Sequence, residues 1–501
     1  MTTLYRTAKA DRASALEHDK RAANLSLVAA FRASPLRAYC LATTTLLGAS
    51  YASAGDLLGD RSLQQRDLPP HDEESATGTG LSAQQAVKDV IRQTPPLPHF
   101  RKKHPVKTTG LGPADVPPKP WSQWQTMTGD WGGTRSDWVK KGVLWELVYS
   151  AEVMSRISGG DKSEDDTSGL GNADLTLTLD TGSLGWWKGG TFFFYLQNMV
   201  GDGNEINDAA GGPLAPISTF DSDDFTQVSA YYYEQQLCDG SCRIKFGKHD
   251  ANSEFVAMDI TGEYINAGFS PPANIPMPTF PDPALGLVVE VDPSSALYVR
   301  AGVYGADLDG QSLGDSGLFE GDTISFLESG WTTAAMQRYA GTYSLGAWYT
   351  TLETAEVVPD SNPDAENRDD NYGVYLMVSQ PLYLEPSAND ASGPGLVAFF
   401  EYSWAPESRN AVAEEYALGA MYTGLFPSRT TDELGFGVTL ITPSDNLGPN
   451  GPTEDQTNYE LFYKANLTPW LYIQPDVQWV DSVGGTNEDA TVIGARVGIT
   501  F

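Results

Sequence analysis

From Val143 to the C-terminus the chain is written in short two-faced segments. In "ADLTLTLD", Leu175, Leu177 and Leu179 oppose Asp174, Thr176, Thr178 and Asp180. In "ALYVRAGVY", Leu297, Val299, Ala301 and Val303 oppose Tyr298, Arg300, Gly302 and Tyr304. The last segment, "TVIGARVGITF", sets Ile493, Ala495, Val497, Ile499 and Phe501 against Gly494, Arg496, Gly498 and Thr500. "VLWELVYSAEVMSR" follows the same rule, with Leu144 and Met154 as exceptions on the polar face. A period of two is the pattern of a strand with one apolar and one polar face.

Alternation alone also fits a soluble sandwich, so the connections must decide. "ISGGDKSEDDTSGLGN" is long and acidic, "TGSLGWWKGG" shorter, and "GDGNEINDAAGGPLAPISTFDSDD" long again. "CDGSC" is short, the segment from His249 to Asp282 long, and "DPSS" short. Only the stretch around "PLYLEPSANDASGPG" breaks the rule. Long connections on one side and short on the other predict an outer-membrane barrel with long extracellular loops and short periplasmic turns. The predicted fold is all-β: a transmembrane antiparallel β-barrel of about sixteen strands, with roughly twenty-four residues per strand and connection. A barrel of that size encloses an aqueous channel. The aromatic Phe501, ending an alternating strand, suits recognition by the barrel-assembly machinery.

Composition supports strands and excludes several partners. The 501 residues include 50 Gly and 23 Tyr, and the formal net charge is −33. An acidic chain argues against nucleic acid, whose phosphates need a basic face. Upstream of the strands, Arg32 and Arg37 precede an apolar stretch and the small-x-small site Ala52-Ser53-Ala54, which reads as a secretory leader over residues 1–54 cleaved after Ala54. Residues 55–120 are polar and Pro-rich and read as a periplasmic linker or tail. Residues 121–501 form the barrel domain. Cys40 falls in the leader. Cys238 and Cys242 flank the Asp239-Gly240 turn, where an oxidising compartment would favour a disulfide; a metal site is the rival, with too few ligands nearby. His249, Asp250, Glu254 and Asp259 lack the spacing of a metal or acid–base site, and no cofactor is expected.

"MTGDWGGTRSDWVKKGVLWELVYSAEVMSRISGG" resembles the opening of the carbohydrate-selective porins of the OprB type. The resemblance continues in "FGKHDANSEF", "INAGFSPP", "ALGAMYTGLFPSRTTDELGFGVTLI" and "NYELFYKANLTPWLYIQPDVQWV", in the right order across residues 121–501. It implies passive diffusion of small sugars across the outer membrane, without enzymatic activity, cofactor or energy coupling. A sugar must exchange water for donors and acceptors of the lumen, yet bind weakly enough to leave. On the polar faces the candidate donors are Arg156, Arg243, Lys245, Arg300, Lys464 and Arg496. The acceptors are Glu146, Glu152, Glu290 and Glu460, and Tyr298, Tyr304 and Tyr472 offer ring faces. The resemblance implies a basic constriction, which Arg243, Lys245 and Arg300 carry best. Expected partners are small carbohydrates and outer-membrane lipid, with the barrel either monomeric or a homotrimer. The competing readings are a general or cation-preferring porin and a non-transporting barrel that serves as enzyme or adhesin.

Overall fold

A computed structural model describes residues 119–501, apart from positions 162–166, 202, 213, 221, 223, 307–320, 334–338, 356, 358–366, 369, 387, 389–392, 448–451 and 453. The expected leader, its cleavage site, Cys40 and nearly all of the linker lie outside the described residues.

Sixteen antiparallel strands close into one barrel. In chain order they are β1 Val143–Gly159, β2 Thr167–Asp180, β3 Gly190–Gly201, β4 Phe225–Leu237, β5 Cys242–His249, β6 Ala284–Ser294, β7 Leu297–Gly305 and β8 Thr323–Thr332. There follow β9 Thr342–Thr350, β10 Asn371–Leu384, β11 Gly395–Trp404, β12 Val412–Thr423, β13 Glu433–Pro443, β14 Gln456–Thr468, β15 Leu471–Asp481 and β16 Ala490–Thr500. Each strand pairs with its chain neighbours, and β1 closes on β16 from Val148↔Thr500 to Gly159↔Ala490. Closure leaves no open edge, the condition for a sheet in hydrocarbon, where an unpaired backbone group costs several kcal/mol.

The alternation resolves as the pattern predicts. Ile244 and Phe246 lie exposed on the outer wall, while Arg243 and Lys245 are buried within. Two details differ. β2 begins at Thr167 rather than Ala173, because Gly169 and Gly171 belong to the strand; Gly171 lies directly under the Tyr149 hydroxyl, where a Cβ would collide. In the β4–β5 turn Cys242 pairs with Leu237, and Cys238 lies in the turn itself with φ of 53°. The cysteines therefore do not sit opposite one another in the ladder, and both are free thiols.

The inner wall carries more apolar residues than an open aqueous lumen needs. Residues 250–283, between β5 and β6, fold inward and supply their partners. Phe255, Val256, Ile275 and Met277 pack with Tyr304, Phe326, Trp348, Tyr375 and Met377 of the wall. Ile260, Tyr264 and Phe269 pack with Phe399, Ala417, Met421 and Phe462 on another sector. Ile265 joins Ile206, Ala210 and Ile217 of the β3–β4 loop against Met154, Val480 and Val492. Met154, the exception on the polar face of β1, is thus a core residue. This inward loop is a packed plug rather than a loose flap.

On the periplasmic side the segment before β1 lies beneath the β1–β16 seam. A short helix, Thr134–Lys140, follows the Trp131–Gly133 turn. Met127 N–H donates to the Thr500 carbonyl at 2.7 Å, and Trp121 lies 4.4 Å from Trp470, ring to ring. Arg135 donates to the Phe501 carbonyl at 2.9 Å and rests 4.5 Å from the Trp145 ring.

Candidate functional site

The antiparallel register places charge around the wall before any loop is considered. Arg243 of β5 pairs with Glu290 of β6, Glu290 with Arg300 of β7, and Arg300 with Glu328 of β8. Cations and carboxylates therefore alternate along one row at one level of the barrel. Arg243 holds Glu290 at 3.1 Å and, on β4, Glu234 at 3.1 Å. Arg300 is also bonded to Glu290. Glu328 accepts the hydroxyls of Tyr298 and Tyr375, each at 2.8 Å.

The inward loop then delivers Glu254 to the middle of this row. Its carboxylate takes a forked pair of bonds from Arg243, at 3.0 and 2.6 Å, and a third from Lys245 at 2.8 Å. Arg300 comes to 3.7 Å of the same carboxylate and donates to the Glu254 carbonyl. Burial alone would push the Glu254 carboxyl up, but Lys245, Arg243 and Arg300 together hold it well below the usual carboxylate range.

A second set faces this row. Glu152, Arg496 and Gln474 share a register level on β1, β16 and β15. Arg496 donates to Glu152 at 2.7 Å and to Thr219 at 3.0 Å, over the ring of Phe220. Lys464 is paired with Glu263 of the loop and stands 4.4 Å from the Tyr472 ring centre. Gln474 donates to the Glu263 carbonyl at 2.8 Å.

Between loop and wall runs a cavity of about 1060 Å³. Among its lining residues are Arg243, Arg300, Lys464 and Arg496 with Glu254, Asp259, Glu263, Glu290, Asp292 and Glu415, four cations against six carboxylates. Tyr472, Phe280 and Met258 add apolar surface. The arrangement offers a polyhydroxylated solute closely spaced donors and acceptors in a wall already paired, so no large field of one sign opposes a neutral molecule.

Six of the residues marked in the sequence thus meet at the cavity: Arg243, Arg300, Lys464, Arg496, Glu290 and Tyr472. The other seven do not line this cavity, and the inward loop covers three of them, Lys245, Tyr304 and Glu460. Lys245 is sealed behind Glu254 with its ammonium 4.0 Å from the Tyr232 ring centre. Tyr304 is fully buried, its hydroxyl 2.9 Å from His249 Nε2. Glu460 is spent on the loop backbone, accepting from Ile265 N–H at 2.7 Å and Asn266 N–H at 2.8 Å. Glu152 lies behind Arg496, Tyr298 beneath Arg300, Arg156 is bonded to the Gly159 carbonyl near the outer rim, and Glu146 lies near Arg135 at the seam. Sequence reasoning passed over Glu263 and Glu328, and weighed Glu254 only as a metal or acid–base candidate. The available signal was that lumen-facing cations need carboxylates, and an acidic loop of this length could bring them.

Of the residues weighed as a metal or acid–base set, His249, Asp250 and Glu254 do structural work. Asp250 staples the loop by accepting from Asn252 N–H, Thr279 Oγ1 and Phe280 N–H. Among the described residues no group of three or more His, Cys, Asp or Glu could hold a metal ion.

Comparison with known proteins agrees with this geometry. Porin B of Pseudomonas aeruginosa is 25% identical over 428 residues, which span 76% of this chain and 92% of that protein. The high-pH structure of Pseudomonas putida OprB matches 76% of this chain and 100% of its own with a TM-score of 0.67 at 23% identity. Its low-pH structure matches with a TM-score of 0.51 at 19% identity. Those two structural likenesses bear on the fold. The family model described as the carbohydrate-selective porin, OprB family, matches residues 164–501. A sixteen-stranded barrel with a loop-narrowed, charge-paired lumen, matched by that model over most of its length, belongs to the carbohydrate-selective porins of the OprB family and is an outer-membrane porin, not an enzyme.

Proposed function

We propose that the sugar path is the cavity between the inward loop and the wall, and that Arg243, Arg300, Lys464, Arg496, Glu290 and Tyr472 are the side chains a sugar meets there. The observation that carries this reading is their convergence on one cavity from β5, β6, β7, β14, β15 and β16. Each cation already holds at least one carboxylate. A passing hydroxyl therefore shares a donor instead of capturing a bare charge, which keeps binding weak enough for exit. The Tyr472 ring, which lines the cavity beside Lys464, offers an apolar surface to the sugar ring. No cofactor and no energy source enter: the gradient of the solute drives the flux.

Swelling of proteoliposomes in sugars of graded size tests this. Glucose entry faster than that of a size-matched zwitterion supports the reading, and Arg300→Gln and Tyr472→Ala should each slow it. Equal rates for solutes of equal size would overturn selectivity at this site. The surplus of carboxylates at the lining favours a second reading in salt alone, a mild preference for cations, to be read as the sign of the reversal potential in a potassium chloride gradient.

A further inference from the structure

We propose that Glu254 is the positioning residue that sets the charge selectivity of the pore: by gathering Arg243, Lys245 and Arg300 onto one loop carboxylate, it keeps the lumen open to neutral polyols and closed to anionic sugars such as sugar acids. The inference rests on the sugar path proposed above, and concerns which class of sugar that path accepts.

The geometry separates Glu254 from the wall carboxylates. Glu234, Glu290 and Glu328 are carried on strands, so register alone brings them to the row. Glu254 comes from the loop and, among the described residues, is the carboxylate in contact with Arg243, Lys245 and Arg300 together. Its side chain is completely buried, so its charge is spent on these neighbours rather than on solvent. The forked bond from Arg243 ties both of its terminal nitrogens to Glu254, while Glu234 and Glu290 each take one further bond from them. Arg300 is held from the other side by the Glu254 carbonyl. One loop residue thus contacts two cavity-lining guanidiniums that the wall carboxylates also hold, and offsets the charge of the sealed Lys245.

Removing that charge while keeping the shape leaves Arg243, Lys245 and Arg300 facing Glu234, Glu290 and Glu328 with one negative charge fewer. Positive potential at the lumen rises, and anions enter more readily. Removing the Lys245 charge does the opposite, and removing both restores the balance.

The experiment uses the full-length protein in planar bilayers and proteoliposomes, with chloride, glucose and gluconate as probes. Glu254→Gln is expected to move the reversal potential in a potassium chloride gradient toward chloride and to raise the gluconate-to-glucose flux ratio several-fold. Lys245→Gln is expected to move the reversal potential toward potassium. The double variant Glu254→Gln/Lys245→Gln is expected to return close to the unsubstituted protein. A Glu254→Gln porin that inserts with unchanged reversal potential and unchanged flux ratio overturns the proposal. If Glu254→Gln fails to assemble, Lys245→Gln decides alone: no shift toward potassium overturns it. A purely structural role would change conductance without producing these opposite shifts. Failure of the underlying path shows separately, as an unsubstituted protein that does not favour glucose over a size-matched zwitterion.

Discussion

The inward loop is held to the far wall by Glu460, and that anchor can be weakened by one atom. Glu460 accepts the adjacent N–H groups of Ile265 and Asn266, at 2.7 and 2.8 Å, in a fully enclosed setting. In Glu460→Gln one oxygen still accepts, but the amide group turns a donor toward the other N–H. The change removes one bond to a carboxylate and leaves a buried donor without an acceptor, together a loss of about 2 kcal/mol. Nearby contacts limit the damage: Asn266 still donates to Gln478 at 2.9 Å, and Ile265 stays in its apolar cluster. The expected outcome is local opening of the bend, not unfolding of the barrel. Since 1.4 kcal/mol is tenfold, hydrogen exchange at the amides of 265 and 266 should accelerate roughly thirtyfold. The amides of Asn252 and Phe280, bonded to Asp250 at the other end of the loop, supply the internal reference and should not change. Exchange measured by mass spectrometry in detergent or nanodiscs reads both. Acceleration below about threefold at 265 and 266 would show that Glu460 does not bear this load, and equal acceleration at 252 and 280 would show that the loop opens as one body.

Three further outcomes follow from other contacts. Arg135→Ala removes the bond to the Phe501 carbonyl and the stacking on Trp145, together about 2–4 kcal/mol, and should lower the temperature at which the barrel loses its compact gel mobility; an unchanged midpoint would refute a load at the seam. The Cys238 thiol is pushed up from its ordinary value by its hydrogen bond with Cys242, so alkylation of the reduced protein should be slower at neutral pH than that of glutathione and recover as pH rises; equal rates at neutral pH would contradict it. Glu254 is held well below the ordinary carboxylate range, so its contribution is fully present above its unfolded value and is lost only as pH falls through the depressed one; the shift in reversal potential caused by Glu254→Gln should therefore keep its direction at pH 7 and pH 4.5, and its disappearance at pH 4.5 would refute it.

The wall was legible in the sequence because its rule is local. Leu175, Leu177 and Leu179 declare their face within a few residues, and the contrast of long and short connections declares the sides of the membrane. The start of β2 was not legible, because Gly169 and Gly171 carry the composition of a turn, although Gly171 serves to admit the Tyr149 side chain. The site was legible only in part. Arg243, Arg300 and Lys464 follow from strand parity, which says which way a side chain faces but not what stands in front of it. Lys245 and Tyr304 have the right parity and yet are covered, because the loop that covers them obeys no period. The same gap hid Glu254: its partners lie on β5 and β7 and meet it only after the loop has turned inward. Apolar residues on the inner wall, such as Trp348, Phe399 and Phe462, were the trace of that loop, since an aqueous lumen gives them nothing to pack against.

The seam beneath β1 and β16 has a consequence for the chronology of biogenesis. Arg135 touches Trp145 at the start of the first strand and the Phe501 carbonyl just past the last. Both are within its reach only after the two ends of the sheet have met. The contact is therefore a late event, and it marks a cylinder that has finished forming. Until then Trp121 lacks the Trp470 ring that stands beside it in the closed barrel, while Trp131 and Trp145 already have each other.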